Sequence, residues 1–404
     1  MEIDDVPETI AHIGSSPYWC WGHEIGINVH GVAIGNEALF TRDVAATAAA
    51  DRRGEAVQPG ILGMELLRLG LERGHTAAQA VTIITDLVAR HGQYGAGTVS
   101  QDRPAAAYDN SFIVADSTES WVVETTGRRW VTRRVREPFW AVSNEPTLRT
   151  DWDEASTDLV AYADEQGWRS GDPLDFAATF VDPAVPLQVS HVRLQRSRQM
   201  LAEAVSAGGV GFEEARAVLS DHYEGTFLQG PKFNPARPDF HTLCMHAHPS
   251  GFTWGNTAAS MIAVLPATGR PYFWWAATTP CTSVYIPVSA TGSVPRVLSA
   301  AGTAAGTGPR PEHAVADAPL SGSFWWNFQT LLETVAGDVN GAGYHARQPV
   351  VRARFDRLQQ QWCKDVESIG PDATDEQWRA LTEECVTQAQ VAVDELTRDL
   401  APGA

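Results

Sequence analysis

The sequence contains few charged residues and is especially short of basic ones. Charged residues make up 20% of the 404 residues, and 30 Lys and Arg face 49 Asp and Glu, which gives a formal net charge of -19. A nucleic-acid-binding protein needs a basic face, and an anionic membrane surface attracts basic segments, so this balance argues against both partners. The 44% hydrophobic content also excludes a disordered chain and allows a large core.

The sequence also lacks long apolar runs, leader motifs and paired cysteines. No stretch approaches the roughly 18 apolar residues of a membrane span, and the N-terminal MEIDDVPETI has no basic or apolar region of the kind found in signal peptides. The five cysteines are an odd number without paired spacing, which is typical of reduced thiols. These absences predict a cytoplasmic protein with no membrane partner.

Hydrophobic patterns predict blocks of helices and strands in one layered domain, residues 1–404. Glycines at 22, 26, 31 and 35 separate short apolar segments, a pattern that predicts strands joined by turns. Thr76 is positioned to cap a helix. The pattern over 108–135 predicts an antiparallel meander. Further predictions are helices at 63–74, 153–167 and 193–222, a helix after Thr76 with an apolar stripe from Ala80 to Val88, buried strands within 241–288, a mobile loop at 300–319, and a helical C-terminal part at 321–400.

The segment HTLCMHAH concentrates residues that can bind a metal, namely His241, Cys244, His246 and His248. A His-x-His pair on a strand points both rings to one face without supplying a third ligand. We therefore favour histidines packed near a pocket, with His246 as a substrate-binding residue and no metal. A metal hydrolase at His241, His246 and His248 is the less favoured alternative.

Several asparagines lie in or beside segments that are predicted to be buried sheet: Asn28, Asn36, Asn110 and Asn144. A buried amide costs free energy unless it is hydrogen-bonded, so each needs a partner, either a local turn or a ligand. Neutral amide donors are what an amidohydrolase needs to stabilise an oxyanion. No nucleophile elbow, phosphate-binding loop, HExxH motif or dinucleotide fingerprint occurs in the sequence.

Longer motifs resemble the secernins and the related bacterial cysteine dipeptidases. The resemblance begins with IDDVPETIAHIGSSPYWCWGHEIGINVHGVAIGNEALFTR and continues in order through GMELLRLGLERG, YDNSFIVAD, SWVVETTGRRW, TLCMH, TTPCTSVYIP and SFWW. It implies an N-terminal-nucleophile (Ntn) hydrolase with an α+β fold, an αββα four-layer sandwich of two antiparallel sheets between helical layers. It further implies a cytoplasmic enzyme without a cofactor that hydrolyses dipeptides or small amides.

In this family the nucleophile is a cysteine that becomes the first residue of the mature chain. Its α-amine, with a pKa of about 7.7 to 8.0, can then act as a general base near neutral pH. The resemblance implies that Asn36 is the oxyanion-hole amide, that Asn144 is a second active-site Asn, and that Arg196 is a catalytic Arg, with Arg198 fitting equally well. It implies substrate binding by Asn28, although Val29 stands where the family usually has Glu.

Residues 1–20 resemble a segment that lies downstream of the nucleophile in the family, so we expect the catalytic cysteine and its strand to be missing from this chain. Cys20 is a poor substitute because it has no free amine, and Cys244 and Cys281 have the surroundings of buried apolar residues. The alternative function is a catalytically inactive scaffold or binding protein. A chain lacking a central strand would expose a sheet edge, which leaves self-association into a homo-oligomer open.

Overall fold

The computed structural model describes residues 2–17, 19–97, 107–186, 188–229, 242–247, 255–292, 294–299 and 322–401. The predicted loop at 300–319 and two histidines of the candidate metal segment, His241 and His248, lie outside the described residues. The chain divides into two compact units, Met1–Leu194 and Gln195–Ala404. Each unit is described by itself.

The first unit is built on one antiparallel sheet in which the strands follow one another in chain order. The predicted meander is confirmed as β4, β5 and β6, because alternating apolar residues and tight turns favour successive hairpins. The seven strands are β1 (His12–Ser15), β2 (Ile25–Asn28), β3 (Ala33–Leu39), β4 (Asp109–Ala115), β5 (Ser120–Thr126), β6 (Arg129–Arg134) and β7 (Glu154–Ala155).

Helices α1 (Arg42–Arg52), α2 (Gly63–Arg73) and α3 (Ala77–His91) lie between β3 and β4 in the sequence. The Thr76 hydroxyl accepts a hydrogen bond from the Gln79 amide at 3.2 Å, which confirms the predicted N-cap of α3. Apolar residues of α2 and α3 pack on one face of the sheet and form a core with Ile34, Phe112, Val114 and Val123.

A second core covers the other face of the sheet around β5 and β6. Val122 and Val131 alternate with the residues of the first core, so their side chains leave the opposite face and meet α4 (Leu159–Glu165) and α5 (Phe176–Phe180). Helix α6 (Gln188–Ala207) then continues from the first unit into the second.

Two predicted helices are shorter than the sequence indicated. Residues 154 and 155 pair with β6 as the edge strand β7, so the helix predicted at 153–167 contains only α4. The helix predicted at 193–222 is interrupted after α6 by Gly208 and Gly209, which have φ angles of 132° and 134° that helices do not allow. Helix α7 (Phe212–Leu219) follows this break.

The second unit contains a smaller antiparallel sheet in the order β10 (Ile286–Ser289), β9 (Tyr272–Ala277), β8 (Ala259–Val264). The fully buried Gln359 side chain accepts from the Tyr285 amide and donates to the Tyr285 carbonyl, which ties a helix to the residue preceding β10. The elements are β8 (Ala259–Val264), β9 (Tyr272–Ala277), β10 (Ile286–Ser289), a 3-10 turn (Pro280–Thr282), α8 (Arg296–Ser299), α9 (Phe324–Ala336), α10 (Tyr344–Ile369) and α11 (Asp375–Asp399).

The α+β class that the resemblance implied, with two antiparallel sheets and packed helices, is confirmed. Within the described ranges, none of the helices combines the length and the apolar character that crossing a bilayer would require.

Candidate functional site

A chain of side-chain amides begins at Asn36 in β3 and continues across β4. Asn36 Nδ2 donates to Asn110 Oδ1 at 3.0 Å, and Asn110 Nδ2 donates to Gln93 Oε1 at 3.0 Å. Gln93 Nε2 then donates to Thr125 Oγ1 at 2.9 Å and to Asp109 Oδ1 at 3.2 Å. The amide orientations are therefore fixed relative to one another, because each donor faces an acceptor.

Asn36 is the incompletely bonded end of this chain. Its Oδ1 is buried and has no hydrogen-bond partner among the described residues, and its Nδ2 is held at the angle set by Asn110. Helix α2 begins directly over this position, since a Cβ atom on Gly63 would lie 1.8 Å from Asn110 Oδ1. A buried amide oxygen without a partner costs free energy, so Asn36 is a natural contact for a ligand that carries an N–H or O–H group.

Asn144 contacts the other face of the same strand. Glu37 follows Asn36 in β3, so the two side chains leave opposite faces of the sheet. Asn144 Nδ2 donates to Glu37 Oε2 at 2.9 Å and to the Ala38 carbonyl at 3.1 Å, while Asn144 Oδ1 accepts from Arg193 Nη2 at 2.6 Å. Burial raises the pKa of Glu37, and Arg193 and Asn144 oppose that rise.

Glu24 lies next to Asn36, whose backbone amide donates to the Glu24 carbonyl at 3.2 Å. Glu24 is exposed at the surface, and the protein atoms packed around it nevertheless disfavour its charged form. This desolvation, together with the nearby carboxyl of Glu37, raises the pKa of Glu24 to about 7. Burial and the proximity of Glu24 also raise the pKa of Tyr108. Glu24 can therefore exchange a proton near neutral pH.

Cys20 does not have the surroundings of an activated nucleophile. It is 2% exposed, and its Sγ accepts a hydrogen bond from the Gly22 amide at 3.3 Å. Burial raises the pKa of the Cys20 thiol to about 12, so the reactive thiolate is scarce at neutral pH.

Asn28 has a turn-stabilising geometry. Its Nδ2 donates to the carbonyls of Leu71 and Gly74 at 3.0 and 2.8 Å, and its Oδ1 accepts from the amides of His30 and Val32, both at 3.0 Å. Every donor and acceptor position of this fully buried side chain is filled by the backbone, so no group of Asn28 is left for the predicted substrate contact.

Arg196 lies in the second unit, where it holds a short acidic segment. Its Nε and Nη2 bind the two carboxylate oxygens of Asp221 at 3.0 and 2.6 Å, and Nη2 also donates to the Glu224 carbonyl. The cation that contacts Asn144 is Arg193, one helical turn earlier on α6. The predicted catalytic role of Arg196 thus has no support from its contacts, whereas Arg193 contacts a predicted site residue.

His246 lies in a buried cluster of the second unit together with His222, Cys244 and Cys281. His246 Nε2 is 3.1 Å from His222 Nε2, 3.4 Å from Cys281 Sγ and 3.8 Å from Cys244 Sγ. All four residues are buried, and one ligand atom from each lies within 4.8 Å of every other. The predicted substrate-binding residue is therefore 3% exposed and enclosed by nitrogen and sulfur atoms.

Residues 6–180 match the model of the family described as peptidase family C69. This part of the chain is similar to peptidase family C69. The match confirms the resemblance in the region that contains Asn36, Glu24 and Asn144. Arg193 and the His246 cluster lie beyond the C69 match, so their roles depend on geometry alone.

Four residues that contact the predicted ones were not themselves predicted from the sequence: Glu24, Glu37, Arg193 and Gln93. Glu37 is adjacent to Asn36, and an acidic residue inside an otherwise apolar strand pattern was an available signal. Arg193 precedes Arg196 by one helical turn, a spacing that leaves the sequence unable to distinguish them. Gln93 follows α3 without any motif.

Proposed function

We propose that the C69 region is the scaffold of a cysteine-type Ntn amidohydrolase that acts on dipeptides or small amides. The similarity of residues 6–180 to a peptidase family supports peptide-bond hydrolysis. The observation that carries the finer proposal is the amide of Asn36, which Asn110 orients and whose buried Oδ1 has no partner in the described part of the chain, next to Glu24, whose pKa is raised to about 7.

In the proposed reaction, a thiolate attacks the substrate carbonyl and converts its oxygen into an oxyanion. The Asn36 Nδ2 group donates to that oxygen, and a fixed neutral amide stabilises developing charge without reorganising. The pKa of Glu24 near 7 suits it to bind the free ammonium group of a dipeptide when ionised, or to deliver a proton to the leaving amine when protonated. Free dipeptides are favoured over long chains because the carboxyl group of Glu24 attracts a terminal ammonium.

The nucleophile of this proposal is a terminal cysteine, as the family resemblance implies, and none of the five cysteines of the chain is suited to the role. Cys20 is buried with a raised pKa. Cys244 and Cys281 lie in the cluster around His246, and Cys363 and Cys385 lie on α10 and α11.

The alternative function, an inactive binding protein, is supported by the same observations, since the Asn36 amide can hold a small amide without chemistry.

The test compares dipeptide hydrolysis by the 404-residue chain with that of any longer product read in frame upstream of Met1. We expect little turnover by the 404-residue chain and clear turnover by a product that carries a terminal cysteine. In the active form, Asn36→Ala should lower kcat by about 100- to 1,000-fold, the usual effect of losing an oxyanion-hole donor. The exposed Gln361→Ala is the matched control, and it should retain the activity.

Two results decide against the proposal. Hydrolysis by the 404-residue chain that survives Cys20→Ala would place the chemistry elsewhere. An in-frame stop before any upstream cysteine, combined with dipeptide binding that calorimetry detects without turnover, would establish the binding-protein alternative.

A further inference from the structure

Four side chains from three separate segments of the second unit converge on one point. His222 follows α7, Cys244 and His246 lie in the segment 242–247, and Cys281 lies in the 3-10 turn before β10. All four are buried, with at most 3% exposure. We propose that they form a Cys₂His₂ site for a structural zinc ion, a function independent of the peptidase chemistry proposed above.

The distances match the edges of a zinc tetrahedron. Zinc binds His nitrogen at about 2.0 to 2.1 Å and Cys sulfur at about 2.3 Å, which separates tetrahedral ligands by about 3.3 Å between nitrogens and about 3.6 Å between nitrogen and sulfur. The observed separations from His246 Nε2 are 3.1 Å to His222 Nε2, 3.4 Å to Cys281 Sγ and 3.8 Å to Cys244 Sγ. These three distances are compatible with a zinc ion at the centre of the set, and the remaining pairs of ligand atoms lie within 4.8 Å of one another.

Ordinary hydrogen bonding does not account for this arrangement. A single imidazole Nε2 either donates one hydrogen or accepts through one lone pair, yet His246 Nε2 faces three ligand-type atoms. One ligand atom from each of the four residues also lies within 4.8 Å of the ligand atoms of the other three. Four groups directed at one shared centre are the pattern of a metal site rather than of a hydrogen-bonded chain.

The groups around the cluster suit metal ligands. His222 Nδ1 lies 2.9 Å from Glu224 Oε1, so its Nδ1–H donates to the carboxylate and leaves the Nε2 lone pair directed at the cluster. This carboxylate–histidine pairing orients most zinc-binding histidines. Tyr344 Oη donates to Cys281 Sγ at 3.2 Å, a favourable contact for a thiolate. Arg196 anchors Asp221 and the Glu224 carbonyl, which fixes the segment that carries His222.

The ligand set defines both the metal and its role. Two thiolates and two imidazoles in tetrahedral geometry select zinc over magnesium or calcium, which prefer oxygen ligands. Four protein ligands leave no open position for water or substrate, and the burial of all four closes the site. The ion would thus join the segment at 222, the segment at 244–246 and the turn at 281, so that zinc binding contributes to folding of the second unit.

The first experiment measures zinc by mass spectrometry in the purified 404-residue protein produced with zinc in the medium. We expect one zinc per chain, and we expect Cys281→Ser and Cys244→Ser each to reduce the zinc content severely. The matched control is Cys385→Ser, a buried cysteine on α11 outside the cluster, which should keep one zinc per chain. Protein without stoichiometric zinc that also fails to take up added zinc would overturn the proposal.

Because a ligand variant can also fail to fold, cobalt substitution of the unaltered protein provides an independent reading. We expect the visible absorption of tetrahedral cobalt together with thiolate-to-cobalt charge transfer, and displacement of both by zinc. Octahedral cobalt spectra, or a disulfide between Cys244 and Cys281 in the protein as purified, would refute the site.

A third variant tests the hydrogen bond between His222 and Glu224 without removing a proposed metal ligand. Glu224→Gln should lower zinc affinity by about 10- to 100-fold in competition with a chromophoric chelator, since losing such a partner typically has that effect. Exposed Glu203→Gln on α6 is the matched control and should leave the affinity unchanged. Equal affinity in both variants, together with zinc that persists in the Cys281→Ser protein, would place the bound metal at another site.

Discussion

Arg193 donates from Nη2 to Asn144 Oδ1 at 2.6 Å, and this bond fixes which end of the amide faces Glu37. Because the oxygen is bound to a cation, the Nδ2 group must point towards the carboxylate. Asn144, which the family resemblance implied to be catalytic, therefore also connects the half-buried carboxylate of Glu37 with the guanidinium of Arg193.

Asn144→Ala should accordingly destabilise the protein. Glu37 and Arg193 would each lose a hydrogen-bonding partner in a poorly hydrated position, and such losses cost about 1 to 3 kcal/mol. Urea unfolding of the variant and of the exposed control Gln361→Ala measures the effect, and the control should change by less than about 0.5 kcal/mol. Equal stability of the two variants would show that the Asn144 bonds contribute little to folding.

Stability should fall as the pH rises towards 7 because of Asp109. Burial raises the pKa of this carboxyl from 3.8 to about 7, so between these values the folded protein binds more protons than the unfolded chain. The free energy of unfolding then decreases with rising pH, at a rate of up to about 1.4 kcal/mol per pH unit for one group. Glu24 and Glu124, also with pKa values of about 7, act in the same direction.

Urea unfolding from pH 4 to pH 8 tests this contribution, with Asp109→Asn as the comparison. The variant cannot ionise at this position, so its stability should decline less steeply with pH, whatever its absolute stability. Parallel pH profiles for the two proteins would refute the assignment to Asp109.

The five thiols should differ sharply in reactivity. Cys20, Cys244, Cys281 and Cys385 are buried, and Cys363 is the partly exposed one. A native titration with a thiol-reactive disulfide at pH 8 should therefore modify at most one cysteine quickly, and Cys363→Ser should abolish that phase. All five thiols should react in denaturant. A fast phase that persists in Cys363→Ser and disappears in Cys20→Ala would identify Cys20 as an accessible nucleophile.

Gly22 and Gly35 should respond oppositely to alanine. A Cβ atom on Gly22 would lie 2.2 Å from the Met64 carbonyl carbon, so α2 would have to move, whereas on Gly35 the nearest atom, Ile25 Cγ2, is 3.5 Å away. We expect Gly22→Ala to cost about 1 to 3 kcal/mol. Gly35→Ala should be neutral or stabilising by up to about 1 kcal/mol, because alanine restricts the unfolded chain. Thermal unfolding of both variants distinguishes the cases.

Local patterns predicted the parts of the fold that local forces determine. The meander follows from alternating residues and tight turns, and the start of α3 follows from the Thr76 hydroxyl. The short edge strand β7 was missed because its two residues have no periodicity of their own and pair only through β6.

In the candidate sites, too, local sequence patterns predicted some residues and missed those whose role depends on tertiary packing. Asn36 was found through a motif, whereas the choice of Arg193 over Arg196 depends on how α6 is rotated, which its weakly amphipathic sequence does not fix. Among the described residues of the segment at 241–248, Cys244 and His246 belong to the buried cluster. The other two members, His222 and Cys281, come from distant segments, so no spacing rule within one window could find them.

The four hydrogen bonds of Asn28 join the β2–β3 turn to the carboxyl-terminal end of α2. The amide protons of His30 and Val32, which donate to this side chain, should exchange with deuterium only when the turn and the end of α2 separate. Slow exchange at two turn amides, a position where rapid exchange is usual, would mark β2, β3 and α2 as one cooperative unit that opens together.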